Sequence, residues 1–193
     1  MLEQLRQTLT ALTPIDDRLW EDIEKNAKPL EVSKGETLIQ FSTVCTDLFY
    51  IAKGSFVVSQ ITEKGESRAV WFHFEDAFEY MTSPDSFFIE ESTKYEMKAM
   101  EASQVIKFSK EVVQGWVSSY PSFNRLFLDF IIRDFVIIYE ARSSLLTLST
   151  LEFLQYTQEK FPFIIQRLPS HYIADFLGIT PEWYSKLKKK LAS

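Results

Sequence analysis

From Pro121 to Leu148 the chain contains no glycine and no further proline. Nothing in that segment stops a helix. Pro121 suits its first turn, where a missing N–H costs nothing. Phe123, Phe127, Phe130, Ile131, Asp134, Ile137, Ile138, Ala141, Leu145 and Leu148 recur three or four apart, the period of one helical face. Leu126, Leu128, Ile132, Phe135 and Val136 widen the stripe beyond that face. A helix apolar on more than one side must bury against more than one surface. One side is expected to cover the chain's own core and the other a second copy, with Phe127, Ile131, Asp134, Ile138 and Ala141 at the contact. Burial in a single large core is the alternative. Arg133 and Asp134 break its most apolar run, FIIRDFVIIYEA, which is too short and too charged to span a bilayer.

What lies on either side of this helix differs in kind. Leu2, Leu5, Leu9 and Leu12, then Leu19, Ile23 and Ala27, have helical spacing. Residues 30–109 instead read as short strands: ETLIQF, DLFYIA, SFVVSQI, RAVWFHF, YEMKAM and QVIKFS. They are rich in β-branched and aromatic residues and are separated by turn signals. SFVVSQI and RAVWFHF flank TEKGES, a hairpin in which Gly65 is free to take a positive φ. Many short strands in series predict an antiparallel barrel or jelly roll. Ser109 is placed to cap a short helix, SKEVVQGWVSSY. The fold class is α+β, and no internal repeat is visible.

After Ser149 a helix, TLEFLQYTQEKFP, leads into IADFLGITPEWYSKLKKKL. Ile173, Ala174 and Leu177 give a first short helix its inner face, and Gly178 lets the chain turn sharply. Thr180 is a good N-cap, Pro181 fits the first helical position, and Glu182 suits the positive end of the dipole. Tyr184, Leu187 and Leu191 share one side of the second helix. Glu182, Ser185, Lys186 and Lys189 share the other. This is the helix-turn-helix pattern. The charge supports it: residues 148–193 hold six Lys/Arg against four Asp/Glu, in a chain whose formal net charge is −6. The blander reading is a helical hairpin with a solvated lysine face.

The order of these parts resembles the Crp/Fnr superfamily: a cyclic-nucleotide-binding-like β-roll, a long dimer helix and a C-terminal helix-turn-helix domain. The likeness rests on Lys34-Gly35-Glu36, Tyr50-Ile51-Ala52-Lys53-Gly54, the Gly65 hairpin and YIADFLGITPEWYSKLKKK, which is similar to the end of short members from Bacteroidetes-type bacteria. It implies a domain over residues 1–120, a connector over 121–148 and a DNA-binding domain over 149–193. It also implies a homodimer acting on double-stranded DNA, with RNA polymerase as a further candidate partner. The family's base-reading positions fall on Pro181, Glu182 and Lys186, where only the glutamate is kept. Glutamate accepts from cytosine N4 and lysine donates to guanine. Ser170, His171, Thr180, Ser185 and Lys189 complete the expected DNA contacts. Only Ala192 and Ser193 follow Leu191, so the family's β-hairpin wing is expected to be truncated.

The effector site departs further. Where cyclic-AMP binders carry Phe-Gly-Glu, this chain has AFEYM, with Glu79 at the ribose position. Where they carry an arginine for the phosphate, it has Thr93 beside Lys94. A lysine cannot reproduce a bidentate guanidinium fork. A degenerate pocket is expected that takes cyclic AMP poorly and holds another small effector or none. One cysteine, Cys45, supplies neither a disulfide nor an iron–sulfur cluster. His73 and His171 have no metal-ligand spacing, and no catalytic constellation appears, so neither a metal nor an enzyme is expected. The N-terminal residues lack a secretory pattern, and a cytoplasmic protein is expected. A ligand-binding or protein-interaction module, with a helix-turn-helix that no longer reads DNA, is the alternative function.

Overall fold

The structure is a computed structural model and describes residues 1–191. The truncated wing expected after Leu191 falls on residues 192–193, outside the described residues. Two helices, α1 (Leu2–Leu12) and α2 (Asp17–Asn26), lead into the strands. These are β1 (Lys28–Val32), β2 (Thr37–Ile39), β3 (Asp47–Lys53), β4 (Ser55–Ile61), β5 (Ser67–Phe74), β6 (Tyr80–Met81), β7 (Tyr95–Ala99) and β8 (Ser103–Ser109), with a short helix α3 (Pro84–Phe87) before β7. Helices α4 (Lys110–Ser119), α5 (Pro121–Thr147), α6 (Thr150–Lys160), α7 (Pro162–Arg167), α8 (Ser170–Phe176) and α9 (Pro181–Leu191) complete the chain.

The strands form two antiparallel sheets, ordered β1-β8-β3-β6 and β2-β7-β4-β5. Side chains alternate across a strand, and here both sides are apolar. Phe49, Ile51 and Val105 of the first sheet meet Phe56, Val58 and Met97 of the second in a core between the sheets. The opposite side of the first sheet, through Tyr50, Ile106 and Phe108, packs on Leu5, Leu19, Trp116 and Leu126 of the helices. The opposite side of the second sheet carries Val57, Ala69, Phe72 and Phe74. It packs on Phe153, Leu154, Ile173, Tyr184 and Leu187. The molecule is therefore four layers deep, helices outside each sheet, and three apolar clusters hold it together.

The backbone pays local attention to two glycines. Gly65 closes the β4–β5 hairpin at φ +78°, as its place in TEKGES predicts. Gly54, between β3 and β4, has φ +121°, and a Cβ there would stand 2.0 Å from the Ser103 hydroxyl oxygen. Both the left-handed backbone and the close approach exclude a side chain.

On β5, the His73 Nδ1–H donates to the Phe78 carbonyl at 2.8 Å. Burial pushes its pKa down to about 4, against the opposing pull of that bond. The unfolded chain, titrating near 6.5, takes up a proton that the folded one refuses. This contribution to stability is thus complete above pH 6.5 and is lost as the pH falls towards 4. Denaturant melts at pH 7 and pH 4.5 are expected to show a loss of about 2 kcal/mol from this group. His73→Gln should lack that component; an equal acid loss in both proteins would remove His73 as its source.

Candidate nucleic-acid interface and effector cavity

α8 ends in a closed Schellman turn: the Ile179 N–H donates to Ala174 O and the Gly178 N–H to Asp175 O, both at 3.0 Å. Gly178 takes φ +66° to allow it. Thr180 then caps α9, its hydroxyl oxygen accepting from the Trp183 N–H at 3.2 Å. The two short helices are fixed relative to each other by backbone bonds before any core is counted. Tyr184 and Leu187 are buried beneath α9. Glu182, Ser185, Lys186 and Lys189 are exposed on it, as are Thr180 at its cap and Ser170 and His171 at the start of α8. All seven residues expected to contact DNA are therefore solvent-accessible.

Their chemistry is polar. The Glu182 carboxyl is held below its usual range by its own backbone N–H and by the Thr180 hydroxyl, so it is an ionised acceptor. Ser185 donates its hydroxyl proton to Pro181 O at 2.9 Å and keeps lone pairs outward. Three of the basic residues of the last turn follow the helix dipole. Trp183, which the sequence reading passed over, is also open to solvent.

This helical unit is docked on the second sheet. α8 lies along β5, and Arg68 of β5 pairs with Asp175 of α8 at 2.9 Å. Arg167, at the end of α7, reaches Glu75 at 2.9 Å, Glu101 at 2.6 Å and Asp76 at 3.8 Å. Glu75 in turn accepts from the Gly54 N–H. Arg167 is a quarter exposed, so the arrangement is worth less than a buried triad but more than an open pair. Arg167→Ala is expected to lower the melting temperature by roughly 2–8 °C, the equivalent of 1–2 kcal/mol. Arg167→Lys should restore only part of it, because one ammonium cannot span the carboxylates. A melting point unchanged in Arg167→Ala would mean that the apolar contacts alone fix the unit.

The expected effector residues separate into two places. Glu79 is buried and faces Arg133 of α5, whose Nη2 lies 3.3 and 3.4 Å from its two oxygens. They line a cavity of 340 Å³ together with Thr8, Glu75, Asp76, Phe78 and Phe161. Thr93 and Lys94 are elsewhere. Thr93 is buried, accepting from the Tyr95 N–H at 3.0 Å and sharing a short hydrogen bond with Ser83. The Lys94 side chain is exposed. The Lys94 N–H, the Ser86 N–H and the Ser83 hydroxyl all donate to the Asp85 carboxylate. Burial pushes the Asp85 pKa up, but these donors outweigh it and hold the carboxyl below its usual range. These three donors already serve an internal anion. Phe78, where the family pattern has glycine, adopts φ +60° and buries its ring 5.1 Å from that of Trp71.

The expected dimer residues also divide. Ile131 and Ile138 are exposed. Phe127 is half-buried against the helix-side core, and Ala141 is buried against the chain's own α6 region. Asp134 is mostly enclosed and pairs with Arg133 at 3.4 Å. Besides Ile131 and Ile138, the open apolar positions of α5 are Leu128, Ile132, Phe135, Val136, Tyr139, Leu145 and Leu146. Both sides of α5 are apolar, and periodicity alone does not say which faces inward.

No family model matches the chain, and no curated protein matches it. Solved structures do. FixK2 from Bradyrhizobium japonicum superimposes with a TM-score of 0.70 at 13% identity, over 86% of this chain and 84% of that one. CLP, the c-di-GMP-responsive global regulator of Xanthomonas campestris, gives 0.70 at 14% identity over 92% of each. A Crp/Fnr-family regulator from Eubacterium rectale gives 0.68 at 14% identity, over 92% and 84%. The β-roll, long helix and helix-turn-helix of this chain are the fold of Crp/Fnr-type transcription regulators. Among the described residues, no helix is long and apolar enough to cross a membrane.

Proposed function

We propose that the protein is a non-enzymatic, DNA-binding transcription regulator that acts as a homodimer. Residues 1–120 form the sensing unit, 121–148 the dimer helix and 149–193 the DNA-reading unit. The observation that carries this is the split of α9: Tyr184 and Leu187 are sealed beneath it while Glu182, Ser185, Lys186 and Lys189 face solvent. A two-fold axis along α5 would present two such helices to successive major grooves of a near-palindromic site, about 34 Å apart. The net negative charge is compatible with this, since DNA meets the local lysine field and the acidic remainder limits non-specific binding. Selection of duplexes from a random pool by the full-length protein at low salt tests the reading. Enrichment of a symmetric site supports it, and a pool that stays random refutes it.

The sensing unit is proposed to answer to something other than cyclic AMP. Asp85 occupies the donors that would meet a phosphate, and the Glu79–Arg133 cavity lies where the β-roll, α1, α5 and Phe161 of the α6–α7 joint meet. An effector there would touch the sensing unit, the dimer helix and the DNA-reading unit at once. It would act by shifting the population of docked and undocked DNA units. The break at Leu148–Ser149, where Ser149 and Glu152 form a capping box, is the place where the unit would turn. A cytoplasmic location and contact with RNA polymerase follow from the same reading.

A further inference from the structure

The geometry points to Trp183 as a specificity residue that reads the 5-methyl group of a thymine in each half-site. The inference rests on the DNA-reading assignment of α9 and adds a contact to it. Trp183 is 48% exposed, whereas its neighbour Tyr184 is fully buried. It stands in the first turn of α9, and its N–H bond to the Thr180 cap fixes where its side chain leaves the backbone. Helix-turn-helix proteins contact base edges with the N-terminal residues of the second helix. Each Cα–Cβ bond also tilts towards that end, so the indole leans towards the part that enters the groove. Spacing puts Trp183 next to Glu182 and one turn before Lys186, on the flank between the buried line of Tyr184 and Leu187 and the outward polar line.

In the major groove the thymine methyl is the apolar feature that distinguishes one base pair from the rest, and apolar side chains recognise it by contact. Glu182 beside it accepts from a cytosine amine. The pair would therefore read a cytosine with a thymine at a neighbouring position, one charged acceptor and one ring acting on adjacent pairs. The neighbouring polar residues cannot supply this discrimination, because hydrogen-bonding groups gain nothing from a methyl.

The test uses the site recovered by the selection, with each thymine replaced singly by deoxyuridine, which removes only the methyl. Wild-type protein is expected to lose about fourfold in affinity at one thymine per half-site, the worth of one buried methyl-sized group. Trp183→Ala, which removes the contact from both half-sites, should bind the thymine site about sixteenfold more weakly and be indifferent to deoxyuridine there. Trp183→Phe, which keeps an apolar ring but no indole N–H, should retain the discrimination. The result is overturned if no deoxyuridine substitution matters, if Trp183→Ala binds as wild type does, or if it loses equally and still discriminates. Loss of discrimination in Trp183→Phe would assign the contact to the indole N–H instead and equally overturn it. A protein that enriches no duplex fails the regulator reading itself; one that enriches a site without methyl dependence fails only this inference.

Discussion

A Phe135→Glu, Ile138→Glu protein is expected to be a folded monomer that binds a palindromic site at least about a hundredfold more weakly than wild type. Phe135 is 65% exposed and Ile138 45% exposed in the single chain. A glutamate at either position therefore finds water, and the melting temperature of the monomer should hardly move. In a dimer the same positions lie on the seam, because Leu128, Ile131, Phe135, Ile138 and Leu145 recur at alternating steps of three, four, three and seven. That is the heptad spacing with which two helices wrap around each other. Four carboxylates on the seam would have to be buried unpaired, which costs more than the apolar contacts return. DNA affinity falls because a tethered second half-site is met at an effective concentration in the millimolar range, and that gain disappears when the tether is cut. Light scattering reads the mass and a gel shift reads the affinity. A variant that stays dimeric would place the interface elsewhere, and a monomer with undiminished binding would remove the symmetry from the mechanism.

Much of this frame was readable from local patterns. All six strands expected between residues 30 and 109 are present in the structure, as are the long helix from Pro121, the Gly65 turn and the capped α9. These are short-range features, decided by φ/ψ preferences and periodicity within a few residues. β1 escaped because Lys28, Pro29 and Glu31 make an edge strand look like a linker. β6, with two residues, has no period to detect. The long-range features were illegible for a different reason. Val57, Phe72 and Phe74 read as strand residues with one side to spare, but nothing in their spacing says that α6–α9 cover that side. The Glu79–Arg133 pair joins residues 54 apart, and the arginine broke an apolar run without announcing a partner. The Asp85 carboxylate accepts from N–H groups of Ser86 on α3 and of Lys94, just before β7, a convergence invisible until the chain was folded. On α9 the three- and four-residue spacing of Tyr184, Leu187 and Leu191 was enough to tell the inner side, and Tyr184 and Leu187 are buried as expected; the exposure of Trp183 beside them had no such period to show it.

Lys186→Ala and Lys189→Ala should damage DNA binding in distinguishable ways. Both side chains are exposed on α9, so neither truncation should alter the fold, and the two melting curves serve as the control. Lys186 is one turn beyond Glu182, nearer the end of the helix that meets base edges. Its loss is expected to reduce affinity about tenfold or more per half-site and to relax the preference at one base pair, chosen from a rerun of the selection. Lys189 is one turn further along, where the helix rises towards the backbone. Its loss should weaken every sequence alike and lower the slope of log affinity against log salt by about two in the dimer, one phosphate contact in each half-site. The double variant should then lose at least about a thousandfold at moderate salt, since the two contacts act on different parts of the duplex and their effects add. Equal, sequence-blind losses from both lysines would mean that α9 rests on the backbone and reads nothing. No loss from either would mean that the lysine face of α9 is solvated and that the groove, if any, is met by another part of the protein.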